Sequence, residues 1–107
     1  MPRLDTPRIS ALHEDDWNET QSEALGRQKM RGSIQNIFRT LAHHEELAKR
    51  WMVFANHILF KSTLPARDRE ILILRIGWLC QAEYEWAQHV LIGKNAGLND
   101  DEIEVPQ

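Results

Sequence analysis

The chain has 107 residues, 42% of them hydrophobic and 27% charged, with a formal net charge of −3. That is the length and composition of one small globular domain, able to bury roughly two thirds of its surface. The mild charge excludes a basic face for nucleic acid and a polybasic membrane anchor. The single cysteine excludes an intrachain disulfide framework.

Residues 1–13 carry two prolines and few apolar side chains, and read as an extended arm that could lie against a partner subunit. They hold no apolar signal-peptide core, so a cytoplasmic, reducing setting is expected. The remainder, 14–107, reads as one helical domain. Asp15-Asp16-Trp17 predicts a helix start, because acids in a first turn suit the helix dipole, and the helix should stop at Gly26. Ser33 is the expected N-cap of a second helix whose Ile34, Ile37, Phe38 and Leu41 share one face. His43-His44-Glu45-Glu46 forms a polar junction. Adjacent histidines there are solvated more readily than they bind metal, since no second ligand pair stands at a recognisable spacing; no metal site is expected.

A third helix should run from Glu45 to Phe60 with Leu47, Trp51, Phe54 and Ile58 as its buried stripe and His57 just off it. Ser62-Thr63-Leu64-Pro65 breaks the chain, and proline suits the opening of the fourth helix. The longest apolar run, Ile71 to Leu74, is closed by Arg75 and falls far short of a membrane span. Apolar residues at Ile71–Leu74, Ile76, Trp78 and Leu79 predict a helix covered on all sides. Arg75 within it should then need an acidic or carbonyl partner. After a break at Cys80-Gln81-Ala82, a fifth helix over 83–96 should bury Trp86, Val90 and Gly93, ending at Gly97 as a left-handed cap. Asn99-Asp100-Asp101-Glu102 is a capping box. The helix it starts is one turn long, too short to be stable alone, so the C-terminus reads as truncated.

The most informative stretch is Glu70 to His89. Glu85 and His89 are four residues apart and share a helix face, a workable acid–base pair, although such spacing more often marks a plain surface pair. The span Ser33–Glu102 resembles the carboxymuconolactone decarboxylase family, within the alkyl hydroperoxidase D-like superfamily. The flanks Asn36–His43, Ser62–Glu70 and Ala96-Gly97-Leu98 carry the resemblance together with the spacing from Glu70 to His89. Redox members of that superfamily carry Glu, eleven residues, Cys, two residues, Cys, three residues, His. Laid on this chain the positions are Glu70, Ala82, Glu85 and His89, so both thiols are replaced.

The resemblance implies an all-α, alkyl hydroperoxidase D-like helical bundle with a central helical hairpin over 66–96. It also implies assembly as a homo-oligomer, a trimer or a hexamer, and the four tryptophans of so short a chain agree with shared apolar surface. Three functions follow. The first is a cofactor-free decarboxylase or related lyase acting on a small carboxylated or lactone substrate. His89 and Glu85 would supply proton chemistry, Glu70 would orient His89, and Arg75 and Trp86 would bind substrate. Glu85, in a first helical turn, should stay charged and favour a His89 able to donate a proton. The second is a thiol peroxidase like the cysteine-bearing relatives, for which Cys80 is poorly suited as a small buried residue. The third is a non-catalytic subunit or truncated remnant.

Overall fold

The computed structural model describes residues 4–29 and 34–104. Among them the chain is all-α, with six α-helices and no strand. None of these helices is long and apolar enough to cross a membrane. The chain forms two compact units, residues 2–58 and residues 59–107.

The first unit opens with a 3-10 turn, Glu14–Asp16, followed by α1, Glu19–Lys29. The start expected at Asp15 is therefore only that turn, and Trp17 behind it is extended. The true start is a reciprocal cap. Asn18 N–H donates to Gln21 Oε1 at 2.7 Å, and Gln21 N–H donates to Asn18 Oδ1 at 2.9 Å, satisfying two amides that a helix end leaves open. Nor does Gly26 end the helix. Glycine costs about 1 kcal/mol inside a helix, and fully buried Leu25 beside it anchors the segment in the core. Ser33, the expected cap of α2, lies outside the described residues; α2 is Asn36–Leu41, with Gln35 ahead of it.

In α3, Glu45–Asn56, His44 is the N-cap, its Nδ1 accepting from Leu47 N–H at 3.1 Å. His43 Nε2 lies 2.6 Å from Ser10 O. The face that α3 buries is Ala48 and Ala55, with Met52 packed beside them, and not the stripe expected from larger residues. Leu47, Phe54 and Ile58 are exposed, as is His57, while Trp51 of the expected stripe is half-buried. Small alanines let α3 approach α1 closely, which bulky side chains would prevent. The core is Leu25, Ala42 and Ala48, ringed by Leu12, Trp17, Phe38, Leu41 and Met52. Trp17 Nε1 donates to Leu12 O at 2.8 Å, and buried Gln21 donates Nε2 to Ala42 O at 2.8 Å. A π-turn, His57–Lys61, follows α3.

The second unit is α4, Ala66–Leu79, packed on α5, Glu83–Asn95, with the four-residue α6, Asp100–Ile103, against both. Leu74, Leu98 and Ile103 form its core, with Trp86 and Val90 packed on it. The expectation that α4 is covered on every side fails. Only Glu70, Leu74 and Gly77 are buried, while Leu72, Ile76 and Leu79 are 60%, 55% and 60% exposed. Among the described residues, α5 and the short α6 pack on α4 and leave these side chains uncovered. Arg75 is accordingly exposed, and makes no hydrogen bond or ion pair among the described residues, so the partner expected for a buried guanidinium is not needed.

Both long helices end in the same way. At α5, Leu98 N–H donates to Gly93 O and Gly97 N–H to Lys94 O, with Gly97 at φ 103°. At α4, Ala82 N–H donates to Gly77 O and Gln81 N–H to Trp78 O, with Gln81 at φ 53°. These are Schellman caps, in which one residue turns left-handed so that the last carbonyls find donors. Glycine takes that conformation without strain, and glutamine does not. The capping box at Asn99 is present as expected. Glu102 also pairs with Arg67 in the first turn of α4, fixing the short α6 in place.

Candidate acid–base site

The α4–α5 packing brings three of the five sequence-selected residues together. Glu70 is in the second turn of α4, and its side chain is fully buried. His89 is midway along α5, with 12% of its side chain exposed, and its Nδ1 lies 2.6 Å from Glu70 Oε1. One turn earlier on α5, Glu85 Oε1 lies 3.2 Å from His89 Nε2. Glu85 is 42% exposed, so the chain of contacts runs from the buried interior to solvent.

A neutral imidazole has one N–H and can donate to one carboxylate only; the imidazolium donates to both. With Glu70 fixed at Nδ1, the proton that can be exchanged is the one at Nε2, on the Glu85 side. The second oxygen of Glu70 is not idle. Oε2 accepts from Arg69 Nε at 2.7 Å, and Arg69 Nη1 donates to Leu59 O at 2.5 Å. Arg69 was not singled out by the sequence; as the neighbour of Glu70 on a helix, spacing rules put it on a different side. The buried carboxylate thus has a cation on one oxygen and the imidazole on the other, as a charge removed from water requires.

Local sequence explains the close approach. Gly93, one turn beyond His89, is buried against Leu98, Leu74 and the Cβ of Glu70. Gly77 on α4 lies against the backbone of Trp86. The two glycines remove side chains where the helices meet.

Arg75 and Trp86 are not part of the three-residue contact. They line a separate depression of about 190 Å³ with Ile71, Leu74, Trp78 and Ile103, and two carboxylates, Glu102 and Glu104, border it as well. A larger open pocket of about 520 Å³ lies at the hairpin tip, lined by Gly77, Trp78, Leu79, Gln81, Ala82, Glu83 and Trp86. Trp78 and Trp86 face each other across 5.8 Å between ring centroids at 59°, and border both spaces. Cys80, expected as a small buried residue, is exposed: it is the C-cap of α4 at the hairpin tip, where the turn leaves nothing to cover it. No three His, Cys, Asp or Glu side chains among the described residues are grouped to hold a metal ion.

A model of the carboxymuconolactone decarboxylase family matches residues 45–105, more than half of the chain. The matched stretch contains Glu70, Ala82, Glu85 and His89. No curated protein and no solved structure matches the chain.

Proposed function

Because the chain belongs to the carboxymuconolactone decarboxylase family, we propose that it carries out cofactor-free acid–base chemistry, a decarboxylation or related lyase reaction, on a small carboxylated or lactone substrate. The observation that supports this reading is His89 held between Glu70 and Glu85, at 2.6 Å and 3.2 Å. In a decarboxylation the bond to the carboxylate carbon breaks, carbon dioxide leaves, and the electron pair remains as an enolate or dienolate. The imidazolium of His89 gives its Nε2 proton to that carbanion, while Glu70 keeps the ring in place through Nδ1. Glu85, open to solvent, returns a proton to Nε2. Arg75 and Trp86 are assigned no part in that proton transfer, because the depression they line does not include His89. Replacing His89 by Gln, or Glu85 by Gln, should each lower turnover of a lactone or β-keto-acid substrate by roughly a hundredfold, and the double variant should lose little more, because the two act as one unit. Unchanged turnover in His89→Gln would remove the reading.

A second reading, a subunit whose contribution is to an assembly, draws on the exposed row Leu72, Ile76 and Leu79 along α4. Spaced at four and three residues, these form one apolar stripe of the kind that a partner covers. We propose a homo-oligomer, a trimer or hexamer, joined through this face. Sedimentation should then show no stable monomer at micromolar concentration, and Ile76→Glu should shift the population toward monomer.

A further inference from the structure

We infer that Arg69 is a positioning residue for the acid–base site: it fixes the Glu70 carboxylate so that Oε1 is presented to His89 Nδ1. The inference deepens the acid–base reading of His89 and rests on it for its catalytic meaning, though the geometry stands independently. A glutamate side chain has three rotatable bonds, and a carboxylate with one partner can rotate about the last of them. Here both oxygens are engaged, Oε1 by His89 at 2.6 Å and Oε2 by Arg69 Nε at 2.7 Å. Arg69 is itself held. Its side chain is 16% exposed, and Nη1 donates to the carbonyl of Leu59 at 2.5 Å. Leu59 lies in the π-turn His57–Lys61, a geometry that displaces carbonyls from the regular helical ladder. The planar guanidinium is suited to this place because its fork can serve a carboxylate and a carbonyl at a fixed angle; an ammonium of similar charge is a single point.

The charged groups around His89 are Glu70 from α4 and Glu85 from its own helix, with Arg69 behind Glu70. Apart from the imidazole itself, Arg69 is the basic side chain in contact with these carboxylates among the described residues. It does not touch His89, so its influence on the ring passes through Glu70.

The test reads the imidazole directly in the full chain, by nitrogen-resolved proton spectroscopy of His89 at fixed neutral pH. The wild-type protein should show a protected Nδ1–H signal from the bond to Glu70. In Arg69→Met that proton should exchange with solvent about tenfold faster or more, as Glu70 loses its second anchor. Arg69→Lys should restore part of the protection. Arg50→Met, which removes an exposed pair with Glu46 on α3, should leave the signal unchanged. An unaltered Nδ1–H signal in folded Arg69→Met would overturn the inference. Should Arg69 variants not fold, Glu70→Gln supplies the second measurement: the Arg69 Nε–H and His89 Nδ1–H signals should both move. Movement of the His89 signal alone would equally overturn it. Because neither measurement uses turnover, a failed decarboxylase assay would remove the proposed reaction and leave this inference intact.

Discussion

The two units use buried polar groups in opposite ways. Among the described residues of 2–58 the buried polar side chain is Gln21, a neutral amide whose two hydrogen bonds cap α1 and tie it to the carbonyl of Ala42. In residues 59–107 it is Glu70, ionisable and fully enclosed, while leucine, isoleucine and tryptophan side chains of the same helix stand in solvent. A unit built only to fold would exchange these placements, since enclosing a carboxylate costs several kcal/mol and exposing Leu72 forgoes its burial. The first unit spends polarity on architecture; the second accepts an unfavourable arrangement whose product is an oriented histidine.

The sharpest test of this contrast removes the two buried groups. Glu70→Ala leaves Arg69 and His89 facing each other without a carboxylate between them, and should destabilise the protein by about 3–5 kcal/mol in chemical denaturation. Gln21→Ala forfeits one capping bond and one bond to a carbonyl, and should cost about 1–2 kcal/mol. Equal losses would erase the distinction. The two Schellman caps allow a finer comparison, because the first unit has no part in either. Gly97→Ala forces a side chain into the left-handed region and should cost about 1 kcal/mol. Gln81→Gly relieves the same strain at α4 and should cost less than Gly97→Ala, the relief being set against the freedom glycine adds to the unfolded chain and the loss of the Gln81 side chain's own interaction.

The smallest effect belongs to the first unit and is a pH effect. A hydrogen bond from its own backbone amide, and then the Arg39 guanidinium at 2.9 Å, hold the Glu14 carboxyl below its ordinary value against the opposing effect of burial. A lowered folded-state value means that the unfolded chain binds more protons between the two values. The contribution is therefore complete above the ordinary glutamate range, near pH 4.3, and is lost as the pH falls through the lower folded value. Urea denaturation of Glu14→Gln between pH 5 and pH 3 should show a shallower fall in stability than the wild-type chain.

Helix identity was readable in the chain, as was the buried face of α5; the faces that α3 and α4 bury were not. Gly97, the box from Asn99 to Glu102 and the stripe Trp86, Val90, Gly93 are local signals, and local signals survive tertiary context. The same logic was available for α1, since Asn18-Glu19-Thr20-Gln21 is a capping box in sequence, but acids at 15 and 16 drew the start forward. On α3 the reading followed bulk, whereas close packing selected Ala48 and Ala55. On α4 the density of apolar residues hid which of them the neighbouring helix covers. At the site, the contact between Glu70 and His89 was legible only through the family resemblance, which placed both residues in one motif. Arg69 left no such trace: its target is the next residue, a relation that helical periodicity treats as divergent.

The absence of a side chain at residue 93 has a consequence for the medium around Glu70. A β-carbon there would stand 3.1 Å from Leu98 Cδ1 and 3.5 Å from Leu74 Cδ1. A methyl group would have to push Leu98 aside, and anything larger would lift α5 from α4 and admit water along the seam. Permittivity at the carboxylate would rise, and the attraction that aligns His89 would weaken in proportion. How dry the acid–base group is, and so how firmly charge is felt within it, is set one helical turn away by the residue with the least chemistry of its own.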